Sequence, residues 1–238
     1  MSIVEYRDLC GMEEFSAAER LQREVWGKGD KEDPADLMMV IQHEGGLAGG
    51  AFLEGRLIGY VFGFPTRDPG IQHSHRLAVL AAARGGGIGL GLKRYQRQWC
   101  LERGITLVRW TFDPLRHANA YLNIGRLGAE ASVYYSDYYG TMGGINAGLP
   151  SDRLLAEWHI GSEHAVRRAN DEQGPHAVCD RTGPRVTIPA DFDTLLASDS
   201  GTAHAERLRI RDTLTRLFDD GYVIRDYDKA ERTYLLSS

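Results

Sequence analysis

The sequence predicts an α/β protein, and three observations carry that reading. A strand, "IQHSHRLAVL", passes through a glycine-rich turn into an amphipathic helix, and another strand, "ITLVRWTF", follows. That order is a βαβ unit, whose crossover helix implies neighbouring parallel strands. Ahead of it, "LAGGAFLEGRLIGYVFGFP" holds two apolar runs around Glu54-Gly55, the pattern of a β-hairpin. Behind it, "DPLRHANAYLNIGRLGA" reads as a second crossover helix that closes at Gly128 and leads into more strands.

Taken in order, the chain opens with a short strand at Ile3 to Tyr6. A first helix follows, with Phe15, Leu21, Val25 and Trp26 at helical spacing and a stop at Gly27. A short helix around Leu37 to Gln42 has Pro34 and Asp36 near its start and Gly45-Gly46 beyond its end. After the hairpin and the motif strand, Ile88, Leu92, Tyr95 and Trp99 share one face of a helix that Gly104 ends. A tyrosine-rich strand, "ASVYYSDYYG", the loop "TMGGINAGLPS" and a strand "DRLLAEWHI" complete a domain over residues 1–160. The stretch from Gly161 to Pro184 is polar and loop-like. A strand "RVTIPA", a helix from about Ala203 to Phe218 and a final hairpin then make residues 161–238 a small C-terminal α+β extension.

Composition narrows the function classes. The chain has 238 residues, 42% of them apolar, and a formal charge of −5. It is long enough for one large domain with an appendage, and with no basic tract it has no nucleic acid among its expected partners. Cys10, Cys100 and Cys179 are widely spaced and form no C-x-x-C pair, which fits a reducing compartment and not a structural zinc site. The charged N-terminus, "MSIVEYRDLCGMEEF", lacks a signal peptide's apolar run, and no stretch has the length of a membrane span. A cytoplasmic location is therefore expected, with no membrane partner.

The turn raises the sharpest question, because Gly85, Gly86, Gly87, Gly89 and Gly91 crowd the start of a helix, where each glycine costs about 1 kcal/mol relative to alanine. Backbone N–H groups at a helix N-terminus bind phosphate, and glycine allows the closest approach. The alternative is a tight strand-to-helix turn that packing requires. Neither G-x-x-x-x-G-K-[ST] nor G-x-G-x-x-G fits residues 85–94. R-x-x-G-x-G does fit, as Arg84-Gly85-Gly86-Gly87-Ile88-Gly89, directly after the strand residues "LAV".

With that motif and this element order, residues 1–160 resemble the GNAT superfamily of acyl-CoA-dependent N-acyltransferases. "HSHRLAVLAAARGGGIG", "WTFDPLRHANAYLNIGRLGA" and "NAGLPSDRL" resemble a poorly characterised bacterial branch of it. The resemblance implies a mixed, mainly antiparallel sheet with a central splayed parallel strand pair and flanking helices. It also implies acetyl-CoA or another acyl-CoA as co-substrate and an amine as acceptor; the sequence leaves the oligomeric state open, a homodimer included. In its terms the amides of Gly85, Gly86, Gly87, Ile88, Gly89 and Leu90 bind the CoA pyrophosphate, and Arg84 is a candidate phosphate contact. Leu77, Ala78 and Val79 pair with the pantetheine arm, and the Leu77 N–H stabilises the oxyanion.

Acyl transfer also needs proton movement. His73 stands where some members of the superfamily carry a general-base glutamate. Alternation of period 2 places His73, His75, Leu77 and Val79 on one strand face, and an imidazole pKa near 6.5 suits proton removal, directly or through a water. The tyrosine often found four residues before the glycine that ends the second crossover helix is here Ile124. Tyr138, from the run Tyr134, Tyr135, Tyr138 and Tyr139, is the substitute phenol chosen. The asparagine often found at that helix's start is replaced by His117, with Asn119 two residues on as a CoA contact. Trp110 and Phe112 either wall the acceptor cleft or fill the core, while Pro150 and Asp152 organise a turn. Two rival readings stand beside the transferase: a CoA-binding or regulatory module without turnover, and a hydrolase whose metal sits on His73 and His75, for which the sequence offers no third ligand.

Overall fold

The hairpin and the βαβ unit both form. The computed structural model describes residues 3–27, 29–140, 150–170 and 182–238. These group into two compact units, one running through Arg109 and the other from Trp110 onward.

The first unit contains β1 (Val4–Asp8), α1 (Gly11–Trp26), α2 (Ala35–His43), β2 (Leu47–Leu53), β3 (Arg56–Pro65), β4 (Ile71–Val79) and α3 (Ile88–Leu101). It also holds the start of β5 (Leu107–Phe112), which carries the chain across the boundary. The strands lie in the order β1-β2-β3-β4-β5, antiparallel throughout except for the parallel pair β4-β5. This is the mixed, mainly antiparallel sheet expected. Helices cover both faces. On one, α1 and α2 bury Phe15, Ala18, Leu21 and Met38 against Tyr60, Phe62, Ala78 and Leu80. On the other, α3 lies so close that a Cβ added at Gly59 or Gly49 would approach Leu92 or Tyr95 of that helix to 3.2 and 2.8 Å.

The second unit holds α4 (His117–Ala120), which widens into one π-helical turn over Tyr121–Arg126. The predicted second crossover helix is thus α-helical for little more than a turn. Then come β6 (Glu130–Tyr135), β7 (Arg153–His159), α5 (Glu163–Ala169), β8 (Arg185–Thr187), α6 (Phe192–Ser198), α7 (Ser200–Asp219), β9 (Val223–Asp228) and β10 (Thr233–Ser237), with the strands ordered β7-β6-β9-β10-β8. The helices α5 and α6 stand where no helix was expected. Each is started by a side-chain cap: Ser162 accepts from the Ala165 N–H at 3.2 Å, and Asp191 from the Thr194 N–H at 3.0 Å.

Candidate active site

The five glycines of the turn divide by cause. Gly85 and Gly87 have φ of 82° and 77°, a left-handed conformation that other residues resist. Gly87 is the N-cap of α3, so the next backbone N–H groups point out of the helix without intrahelical partners. Gly91 lets Tyr6 press on the helix, since a Cβ there would lie 2.2 Å from the Tyr6 hydroxyl. Gly86 and Gly89 have neither reason: the nearest atom to an added Cβ is 3.6 Å away at Gly86 and 3.9 Å at Gly89. Open, exposed backbone at the positive end of a fourteen-residue helix is what an anion such as a pyrophosphate needs.

Next to the turn, β4 offers an unsatisfied edge. It pairs with β5 only from Ile71 to His73, and beyond that point β3 is its only neighbour among the first unit's described residues. The Leu80 N–H donates to the Ile58 carbonyl on β3 at 2.9 Å, so by strand alternation the N–H and C=O groups of Leu77 and Val79 face the other way. Arg84 folds back to this edge, its Nε donating to the Val79 carbonyl at 3.1 Å. An extended amide-bearing chain laid along β4 would meet the Leu77 and Val79 main-chain groups and take the place of Arg84 at the latter.

One expectation is corrected. His73, His75, Leu77 and Val79 do not share a face, because β4 bulges: Phe62 pairs with Arg76 and Gly63 with Ser74, which leaves His75 as the extra residue. The bulge shifts the alternation by one. Leu77 and Val79 face α3, where both lie 3.9 Å from a Cβ built at Gly89. His73 and His75 turn to the side of α1 and α2. There His73 stacks on Phe64 with ring centroids 4.9 Å apart, His75 lies 6.1 Å from His73, and the His75 ring nitrogen sits 3.3 Å from Asp33. Arg76, on the same side, is held by Asp30 and Asp33 at 2.6 and 3.1 Å.

The titration of His73 also differs from the expectation. Burial, and after it the neighbouring charges of His75, Arg109 and Lys93, push its pKa down to about 4. His73 is therefore uncharged at neutral pH but a weaker base than a free imidazole, so the match to neutral-pH proton removal expected of it is not met. Behind β4, on the α3 side, lies a buried polar chain that the sequence reading missed. Lys93 Nζ donates to Ser74 Oγ at 2.8 Å and to Gln96 Oε1 at 3.0 Å, while Gln96 Nε2 donates to Gln72 Oε1 at 2.6 Å. Burial pulls Lys93 down to about 7. Its sequence signal was weak, because Gln72 and Ser74 lie in the continuous polar run Gln72 to Arg76, where nothing marks them as buried.

The remaining predicted residues belong to the second unit. Tyr138 is not on a strand, since β6 ends at Tyr135; it lies in the turn that follows, half exposed and packed on Tyr135 and Tyr139. Asn119 is on α4 and partly exposed. Ile124 is fully buried, and Trp110 and Phe112 are core residues, with Trp110 edge-on to Trp158. Asp152 does more than shape a turn. It is fully buried and takes hydrogen bonds from Tyr134, the Asp137 N–H and Arg211. Burial alone would raise its carboxyl pKa, but these donors hold it below the usual value. Much of the loop "TMGGINAGLPS", residues 141–149, lies outside the described residues, as does Cys179. Among the described residues no three His, Cys, Asp or Glu side chains are placed to share a metal ion, and no helix is long and apolar enough to cross a membrane.

Comparison with known proteins agrees with this geometry. Residues 12–125 match the model of the acetyltransferase (GNAT) family. No curated protein sequence matches the chain. Among solved structures, aminoglycoside 6'-acetyltransferase type Ii aligns over 68% of this chain and 99% of its own, with a TM-score of 0.55 and 18% identity. An aminoglycoside 6'-N-acetyltransferase complexed with coenzyme A aligns over 68% and 98%, with a TM-score of 0.54 and 16% identity. The ribosomal-protein-S18-alanine N-acetyltransferase from Escherichia coli aligns over 68% and 97%, with a TM-score of 0.54 and 14% identity. At these identities the likeness is one of fold.

Proposed function

We propose that the chain is an acetyltransferase of the GNAT kind, the family whose model matches residues 12–125, and that it transfers an acetyl group from acetyl-CoA to the nitrogen of an amine by direct attack on the thioester. The observation that carries this reading is the pairing of an open glycine turn at the α3 N-terminus with an unpaired β4 edge that leads away from it. A pyrophosphate and an amide-bearing arm fit these two features end to end.

The roles follow from position. The N–H groups of Gly85 to Leu90 and the positive end of α3 receive the pyrophosphate. Arg84 leaves the Val79 carbonyl to the pantetheine arm and turns to phosphate. The Leu77 N–H, directed to the open edge, donates to the carbonyl oxygen on which charge develops. The amine nitrogen bonds to the carbonyl carbon as the C–S bond breaks. The nitrogen's proton passes through a water to His73, whose lowered pKa makes it a weak base that hands the proton on to solvent, and the leaving thiolate takes one from solvent. The residue at the superfamily's usual phenol position, Ile124, is fully buried and has no proton to give. That observation favours one second reading, a CoA-binding module without turnover.

Calorimetric titration with CoA, acetyl-CoA and ATP tests the reading. Selective binding of the two CoA species, followed by thiol release with an amine panel, is the expected result. Equal or absent binding would overturn it, and CoA binding without thiol release would leave the module.

A further inference from the structure

At the start of β4, on the face that carries His73, lies an open hollow of about 550 Å³ lined by Thr66, Arg67, Asp68, Pro69 and Arg109. Its walls come from the β3–β4 turn and from β5. Arg109 is the β5 residue in register with His73, so both side chains leave the sheet on the same side. Arg109 stands between the fully buried Val108 and the buried Trp110 of its own strand and is itself half-buried. Neither Arg109 nor Arg67 has a hydrogen-bonded or carboxylate partner among the described residues. The polar groups of the turn satisfy one another: Thr66 Oγ1 donates to the carbonyls of Asp68 and Ile71, and Asp68 Oδ1 accepts the Gly70 N–H at 2.8 Å. Asp68 is the one carboxylate in the lining, and it forms no ion pair with either arginine.

A half-buried guanidinium without a counterion is expensive to keep, and three other arginines on this unit's sheet and helices are each held by carboxylates. Arg7 is on Glu14, Arg23 on Glu19 and Glu32, and Arg76 on Asp30 and Asp33. Arg109 differs in facing a hollow beside the residue that would take the acceptor's proton.

We propose that this hollow receives an anionic group of the acceptor, held by the Arg109 guanidinium with Arg67 at the rim, so that the substrate is an amine carrying a carboxylate or phosphate several bonds from its nucleophilic nitrogen. This rests on the transferase reading and narrows its substrate class. The spacing comes from the strand: Leu77 lies four residues beyond His73, about 13 Å along an extended chain before the bulge and the reach of the arginine shorten it. An anion at Arg109 and a nitrogen at the Leu77 edge therefore suit an ω-amino acid better than glycine. A guanidinium fork accepts both planar carboxylate and phosphate, and the test separates them.

Thiol release from acetyl-CoA is measured with glycine, 6-aminohexanoate, 6-aminohexanamide and O-phosphoethanolamine. The expected result is a kcat/KM for 6-aminohexanoate at least tenfold above that for its amide and above that for glycine. In Arg109→Gln the ratio of acid to amide falls to near one, and Arg109→Lys restores part of it; Arg67→Gln lowers it less. Far-UV circular dichroism and thermal melting establish that each variant is folded. Preference for O-phosphoethanolamine over 6-aminohexanoate, again lost in Arg109→Gln, would keep the site and assign it to phosphate. A ratio near one in the unaltered protein, or the same ratio in Arg109→Gln, would overturn the proposal. If no amine releases thiol, titration with 6-acetamidohexanoate and its amide decides. Acid-selective binding that Arg109→Gln abolishes keeps the hollow as an anion site while the transferase reading fails, and no selectivity ends the proposal.

Discussion

If the glycine turn holds a pyrophosphate, a charge placed at Gly86 should change CoA affinity by an amount and a sign that packing alone cannot produce. Gly86 is exposed, does not need positive φ, and would place a Cβ no closer than 3.6 Å to the Ala83 carbonyl, so a side chain there costs the fold little. Gly86→Glu sets a carboxylate beside the α3 N-terminus. Against a doubly charged pyrophosphate about 6 Å away, the repulsion is about 1.4 kcal/mol at the dielectric of water and about 3 kcal/mol at half that value. The dissociation constant for CoA should therefore rise about 10- to 100-fold. Gly86→Lys has similar reach and opposite charge, so its affinity should equal or exceed that of the unaltered protein. Gly86→Ala should lie between them, and raising salt from 0.05 to 0.5 M should draw the Glu and Lys variants together. Calorimetry gives the constants, and thermal melting without ligand checks the fold. The reasoning is refuted if Glu and Lys weaken binding equally, which would mean steric blockage, or if neither changes it by more than twofold.

Three further outcomes are expected. Gly91→Ala should lower the melting temperature despite alanine's better helix propensity, because its Cβ would displace the Tyr6 ring; about 1–2 kcal/mol net, or roughly 2–8 °C, should be lost, and Tyr6→Ala in the same chain should remove most of the difference. Lys93, with a folded pKa near 7 against 10.5 unfolded, binds fewer protons folded than unfolded between those values, so its contribution makes stability rise with pH there. The unaltered protein should gain up to about 1.4 kcal/mol per pH unit relative to Lys93→Met between pH 7.5 and 9 in urea unfolding, and parallel pH profiles would refute the burial of a neutral amine. In the second unit, Arg207 donates to both carboxylate oxygens of buried Asp113 at 2.7 and 2.8 Å, so Asp113→Ala should leave an unpaired buried cation and cost about 3–5 kcal/mol, measurable by the same unfolding.

The sequence made the first unit's elements legible because local signals there agree with tertiary need. The Glu54-Gly55 turn, the helix stop at Gly27 and the apolar runs of β3 and β4 each point to the element that forms. Legibility fell where the cause is long-range. Nothing local in "LNIGRL" shows that the backbone widens, because Gly125 is pressed by the Tyr121 ring and faces the distant Tyr227 carbonyl. Asp152 looks like a turn residue until Arg211, far along the chain, closes on it. Nor could counting glycines separate their reasons, since the positive φ of Gly87, the contact of Tyr6 with Gly91 and the open space at Gly86 are indistinguishable as letters. Arg109 did carry a signal, a lone arginine within an apolar strand, but its meaning depends on the hollow that the β3–β4 turn builds beside it.

The bulge in β4 shows how much chemistry one unpaired residue can move. Under strict alternation His73 and His75 would share the α3 side with Leu77 and Val79, beside the buried Lys93 and away from α1 and α2. With His75 as the extra residue, both imidazoles turn to the face of Phe64, Asp33 and Arg109, while the Leu77 N–H keeps its direction toward the open edge. The two halves of the proposed reaction are thereby set on one strand but on different groups of atoms. In the proposed reaction the main chain would serve the acyl donor, and side chains from the opposite register the acceptor. The same bulge lies just past the point where β4 and β5 part, so the irregularity that turns the histidines coincides with the loss of pairing that frees the main chain. A substitution that restored regular pairing would have to move every residue from Ile71 to Ser74 to the other face of the sheet. Phe62 and Gly63, which flank the register shift on β3, therefore help to set which way the histidines face.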